Sequence, residues 1–232
     1  MTWAILTFAR LGAPRYLSHL DTARALHRTF ARAGIDLALS RGMRPKSRLS
    51  LGLPLPVGAA GLRELAAVEL GEGQETEPAE LLRRLRTVSA EGLVPLAVEV
   101  SERRVRLDPV LAVYECRSGL ALAEARAAAE AFAAAPSVLV ERLTPKAARS
   151  VDLKRYVARV EVVTDDAAQT ETRVRFAVRH RSDGAARPEE IVNALAGLAG
   201  VQAKPGARDL VRMSVEYDGW PQAAAGRESE QT

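Results

Sequence analysis

His19 is the residue in the first part of the chain best placed to move a proton. It lies in RYLSHLD (residues 15–21), just where a helical pattern begins. Imidazole titrates near neutrality, so His19 is a candidate general acid/base beside a bound backbone. Lys46 or Arg44 would then stabilise developing charge. The plainer role is a partly buried histidine with a hydrogen-bond partner, because a helical wheel puts His19 near Leu26 and Phe30. Asp21 is better suited to pairing with Arg24 or capping the helix than to acting as a base. His27 lies between an apolar and a basic face, and His180 ends a strand pattern without any chemical neighbour in sequence. His19, Asp21 and His27 do not make a metal site, since residues eight apart on a helix are separated by about 12 Å of rise.

Arginine supplies the other candidate chemistry. Arg24, Arg28 and Arg32 recur at i, i+4 and i+8 and form one helical stripe. Arg41, Arg44, Lys46 and Arg48 follow in a loop. Guanidinium forks match phosphate oxygens in bidentate fashion, so stripe and loop could line one phosphate-tracking groove. A solvated helix face followed by a basic loop is the alternative. Residues 1–63 hold ten cations and two acids, a balance of +8, and the whole chain carries +4, so the other 169 residues carry −4. A basic front on a mildly acidic body is the charge pattern of a polyanion binder. Lys146, Arg149, Lys154 and Arg155 could extend the groove, but residues 105–232 have 18 cations and 18 anions, which fits a solvated surface better.

These residues need elements to hold them. Residues 3–10 alternate as a strand, Ser18 caps a helix that runs to about residue 33, and Gly34 stops it. Residues 35–40 alternate as a second strand. Residues 41–58 contain Gly42, Pro45, Gly52, Pro54, Pro56 and Gly58, too much punctuation for regular structure, and a loop of that length is usually functional. A strand at 65–71, a helix at 78–89 and a strand at 95–102 complete a strand-helix-strand-strand-helix-strand order, that of the ferredoxin-like unit. Residues 101–109 are a linker. A second such unit follows, with strands at 111–117, 138–143, 154–164, 172–180 and 209–217 and helices at 120–135 and 187–200. The expected organisation is therefore α+β, with two tandem ferredoxin-like (βαββαβ) units over 1–104 and 105–218. Each has an antiparallel sheet with helices on one face, and a disordered tail covers 219–232.

Composition narrows the chemistry. The single cysteine, Cys116, excludes an intramolecular disulfide, a cysteine-held iron–sulfur cluster and a zinc site built on cysteine pairs. Its alternating surroundings suit a structural cysteine. No apolar run approaches the roughly 18 residues of a membrane span, and the first residues make a poor signal peptide, so a cytoplasmic protein without membrane contact is expected. Phosphate-loop, dinucleotide, zinc-protease and nucleophile-elbow patterns are missing. Aromatics are 4% of residues, which argues against a base-stacking platform and leaves backbone contacts.

RYLSHLD and RAGIDLALSRGMRPKSRLSLGLPLPVG (32–58) resemble the radical-SAM-linked protein family, a bacterial domain of unknown function. That family pairs an F-x-S-H-L-D helix start with a Y-S-x-G-F-N-P-x-P loop and a P-L-P-V-G segment. Ser18, His19, Leu20 and Asp21 match it, as do Ser40, Gly42, Pro45 and the run holding Pro54, Pro56 and Gly58. SVDLKRYV, RPEEIVNAL and LVRMSVEY are similar to its C-terminal half, so the resemblance covers about residues 1–218. Met43, Arg44 and Lys46 depart from it, standing where members often have Phe, Asn and His. The resemblance implies a radical SAM partner with a cobalamin-type domain; with one cysteine this chain lacks the ligands for radical chemistry itself, so it is expected to be an accessory, substrate-presenting module with no cofactor. Family members are often found near ribonuclease and ribosomal-protein genes, which points to RNA.

Three functions follow as expectations. One is an RNA-binding accessory protein, more a binder than an enzyme. A second is a metal-independent endoribonuclease using His19. Tandem ferredoxin-like domains with a histidine near the first helix are similar to CRISPR repeat-processing endoribonucleases, although their C-terminal glycine-rich loop is missing here. The third is a protein–protein adaptor whose basic face docks an acidic partner without nucleic acid.

Overall fold

The structure is a computed structural model that describes residues 1–41, 43, 45–74, 77–143, 147–164, 172–201 and 209–220. In chain order its elements begin β1 (Trp3–Arg10), α1 (His19–Arg32), β2 (Leu49–Leu51), β3 (Ala60–Glu69), α2 (Pro78–Val88) and β4 (Leu93–Ser101). They continue with β5 (Pro109–Arg117), α3 (Leu122–Ala134), β6 (Leu139–Leu143), β7 (Ala148–Asp152), β8 (Val157–Thr164), β9 (Thr172–Arg179), α4 (Pro188–Leu198) and β10 (Leu210–Tyr217). This is a mixed α+β fold.

The helix ends follow local chemistry. The Ser18 hydroxyl accepts from the Asp21 amide at 3.1 Å and donates to the Asp21 carboxylate at 2.7 Å, which closes the first turn of α1. At the other end Gly34 takes φ +62°, and Arg84 from α2 donates to the Ala33 and Gly34 carbonyls. Proline opens both α2 and α4, where its missing N–H costs nothing.

The strands form one eight-stranded sheet in the order β4-β1-β3-β10-β5-β9-β8, with β2 added along β3, and β6 with β7 forms a separate hairpin. Every ladder is antiparallel except β3 with β10, which is parallel and only two residue pairs long, Ala60 with Val211 and Gly61 with Arg212. Where two separate sheets were expected, these strands form one. Ala4, Leu6 and Phe8 of β1 share a core with Leu26 and Phe30 of α1 and Leu81 and Leu85 of α2. Tyr114 and Cys116 of β5 and Phe176 of β9 share another with Phe132 of α3 and Ile191 and Leu195 of α4. Each fully buried Leu, Ile or Phe in these layers contributes about 1.5–3 kcal/mol. Phe8 stands opposite Glu64, Tyr114 stands opposite Arg212, and Glu64 and Arg212 hold each other, so both helix layers lie on one face. On the other face Val105 and Leu107 pack against Ile5, Leu65 and Tyr217, so residues expected as a plain linker are a cover for the sheet.

Three local expectations give way. Residues 35–40 are not a strand. Their backbone alternates between two partners: the Ala38 amide donates to Glu69 while its carbonyl accepts from Arg48, and only isolated bridges form at Leu37 and Leu39. The strand beside β3 is instead β2, inside the segment expected to be irregular. β3 starts at Ala60, five residues before the expected 65, because its first residues pair with Arg10 and β10. β7 was not expected at all. Its partner β6 supplies the ladder, and Arg142 fixes the hairpin by donating to Glu190 of α4 at 2.6 Å.

Candidate functional site

Where the two halves meet on the helix face, the first turn of α1 leans over the segment 51–58. A small cleft opens there, lined by Arg10, His19, Thr22, Gly52, Leu53 and Glu64 among others. Its cavity is about 20 Å³, room for about one water.

One buried arginine, Arg10, lines the cleft, and a second, Arg212, holds its Glu64 wall. Arg212 is 0% exposed and Glu64 6% exposed. Arg212 Nε donates to Glu64 Oε1 at 3.0 Å and its Nη2 donates to Glu64 Oε2. The rest of the guanidinium fork reaches the segment above, with Nη1 on the Pro54 carbonyl at 3.0 Å and Nη2 on the Leu53 carbonyl at 2.6 Å. Burial works against the Arg212 charge, but Glu64 more than offsets it, so its pKa is raised. Arg10 is 2% exposed and donates to Leu17 O at 3.2 Å, Thr22 Oγ1 at 3.0 Å and Pro56 O at 3.3 Å. Its pKa is lowered, by burial first, with attraction to Glu64 opposing and repulsion from Arg212 adding. Arg15 completes the grip, donating to Gly58 O at 2.9 Å while Gly58 N donates back to Arg15 O at 2.8 Å.

This explains the proline segment. Proline has no N–H, so residues 53–58 present mostly acceptors, and three arginines supply the donors. Gly58 takes φ +92°, which favours glycine. Gly52 is needed for space, because a Cβ there would lie 1.9 Å from the Tyr217 hydroxyl, which accepts from the Leu53 amide at 2.9 Å. Pro54, Pro56 and Gly58 therefore belong to a staple between the halves. Leu55 and Ala59 carry it into the core beneath α3 and α4.

His19 is exposed at the mouth of this cleft as the first residue of α1. Its pKa is lowered by desolvation first, then by Arg10 and Arg212, with Glu64 opposing. These surroundings favour the neutral imidazole, the form that can accept a proton. Asp21 is tied to Ser18 and to Arg24 at 3.0 Å, and these hydrogen bonds hold its carboxyl below the usual range.

The basic stripe divides into engaged and free members. Arg24 pairs with Asp21, and Arg48 pairs with Glu69 at 2.6 Å. Arg28, Arg32, Arg41 and Lys46 are exposed and make no ion pair among the described residues. The His27 ring meets the Ser47 hydroxyl at 2.7 Å, which ties the loop to α1, so His27 is a contact residue and not merely a boundary. Pro45 is exposed. Gly42, Arg44, Lys146 and residues 221–232 of the expected tail lie outside the described residues. No group of three or more metal-ligating side chains occurs among the described residues, and no helix there is long and apolar enough to cross a membrane. Burial pushes the Cys116 thiol up to about 12, which keeps it protonated.

Sequence reasoning missed Arg10, Glu64 and Arg212. Arg10 and Arg212 each sit among apolar residues in a strand pattern, the one signal that could have marked a cation as buried.

No curated protein matches the chain. The fold is similar to that of a chain in the crystal structure of a Cbf5-Nop10-Gar1 complex, with a TM-score of 0.51 at 11% identity. That likeness covers 91% of this chain and 48% of the other, so the chain spans about half the length of the structure it resembles. A family model described as uncharacterized protein conserved in bacteria (DUF2344) matches residues 4–188, most of the chain, and the protein belongs to that family.

Proposed function

We propose that the protein binds RNA along the outer face of α1 and the loop after residue 40, and presents it to a partner enzyme. The observation that carries this reading is the set Arg28, Arg32, Arg41 and Lys46, four exposed cations with no carboxylate at ion-pair distance among the described residues, Asp21 acting on Arg28 only from farther off. Cations left unpaired on one surface are available to exchange their counterions for phosphates. Arg24 and Arg48 stand beside them but are partly neutralised by Asp21 and Glu69. The RNA is held by its backbone, since no aromatic row accompanies the cations. Each half is read as a ferredoxin-like unit, with a boundary at 104 and 105. The orders β4-β1-β3-β2 and β10-β5-β9-β8, antiparallel within each half, support that reading, with β6 and β7 as an insertion. The radical SAM partner rests on the sequence resemblance alone, and co-purification with that protein tests it.

Fluorescence anisotropy of nuclease-free protein with a mixed-sequence RNA, measured at several salt concentrations, tests the binding. Wild-type affinity is expected to fall steeply with salt. Changing Arg28, Arg32, Arg41 and Lys46 together to Ala should flatten the slope of log K against log salt by about 3. RNA binding that is absent at low salt, or unchanged in this variant, would overturn the reading.

A second reading, an endoribonuclease, is favoured by one observation: the His19 ring at the mouth of a cleft lined by Arg10, where burial and the nearby cations lower its pKa. RNA cleavage that disappears in His19→Ala while RNA binding persists would establish it.

A further inference from the structure

Arg10 is the part of the cleft whose chemistry nothing so far uses. Its guanidinium is 2% exposed, yet Nε has no hydrogen-bond partner among the described residues. Trp3 Nε1 and His180 Nε2 are also buried and unpaired, but neither residue lines this cleft. A buried donor without an acceptor is costly and calls for one.

The charges point the same way. Arg10 feels the charge of Glu64 without touching it, and Arg212 takes both Glu64 oxygens. The cluster is left with one positive charge in excess. Arg10 also holds Leu17 O and Thr22 Oγ1, so its guanidinium sits against the start of α1, a 14-residue helix. The first amides of a helix have no intrahelical partner, and the helix end adds partial positive charge. Asp21, the acid in that turn, is turned to Ser18 and Arg24. Phe8, Leu51 and Leu65 line the walls and lower the local dielectric, which strengthens attraction for an anion. With room for about one water-sized group, the cavity admits one oxygen of a larger anion and leaves the remainder outside, beside the His19 ring.

We infer that this cleft is a phosphate subsite, in which one phosphate oxygen enters against the Arg10 guanidinium, whose sealed Nε–H is uncovered to meet it, and the group lies at the N-terminus of α1 against His19. The inference rests on the RNA reading only in taking that phosphate to be one of a nucleic-acid backbone.

The full chain is titrated with inorganic phosphate, with sodium chloride at matched ionic strength, and with a short uridine oligonucleotide. NMR follows the Arg10 Nε–Hε signal and the His19 ring. Phosphate is expected to shift both saturably and to move the His19 titration midpoint to higher pH, since the bound anion opposes Arg10 and Arg212. Arg10→Gln should weaken phosphate binding about tenfold or more. If that variant does not fold, the wild-type Arg10 signal alone decides. Shifts that do not saturate, or that chloride reproduces, overturn the subsite. If the oligonucleotide saturates in anisotropy while neither ligand moves Arg10, the subsite fails and RNA binding stands. If inorganic phosphate moves Arg10 and the oligonucleotide does not bind, the subsite stands for a free phosphate and the RNA reading fails.

Discussion

Glu64 is the residue on which most of the centre depends. Its one negative charge is shared by two buried guanidiniums, one of them held through both oxygens. A pair this deep adds little net stability compared with an apolar replacement, but removing one partner strands the other. Glu64→Gln should therefore destabilise the protein by about 3–5 kcal/mol, read as a lower urea midpoint. A midpoint within error of wild type would show that the guanidiniums find other compensation. None of this was legible from sequence. Glu64 and Arg212 are 148 residues apart, and nothing local distinguishes Glu64 from a surface carboxylate. His19 was legible as a type and a position. Its lowered pKa was not, because Arg10 and Arg212 reach it only through the fold.

Among the elements, the segment 51–58 has the clearest test. Gly52→Ala would drive a methyl group into the Tyr217 hydroxyl and pry apart the contact between β2 and the end of β10. A loss of about 1–3 kcal/mol is expected from such overpacking. Calorimetry checks it, and an unchanged melting temperature would mean that Tyr217 swings aside freely. The glycines and prolines of residues 41–58 suggested an irregular, functional loop. Within it, Pro56 and Pro54 supply carbonyls to Arg10 and Arg212. α1 was legible nearly to the residue, because its cap, its first-turn acid and its glycine stop are local signals. Residues 35–40 misled because alternation records which residues face the core, and does not say whether a continuous ladder forms. Ile35 is buried and Leu37 half-buried without one.

At the scale of the molecule, the mixed α+β order of elements was visible in the sequence, but the joining of the strands into one eight-stranded sheet was not. The seam is a two-pair parallel ladder, weak on its own, and it is held by the Glu64–Arg212 contact and by Tyr217 against Gly52. A fragment of residues 1–104 would lack β10 altogether and expose the start of β3 as an open edge. That fragment is expected to self-associate in light scattering, whereas the full chain should not. A monodisperse fragment would show that β2 alone protects the edge.

The seam also has a consequence for how the molecule is made. Arg212 emerges from the ribosome 148 residues after Glu64. At ordinary rates of synthesis that interval is on the order of ten seconds. Throughout it the nascent first half carries an unclosed strand edge and a carboxylate that has not yet met its main counter-charge. The vulnerable period in the life of this protein is therefore its birth, and cover from a chaperone would matter most while β10 is still unmade.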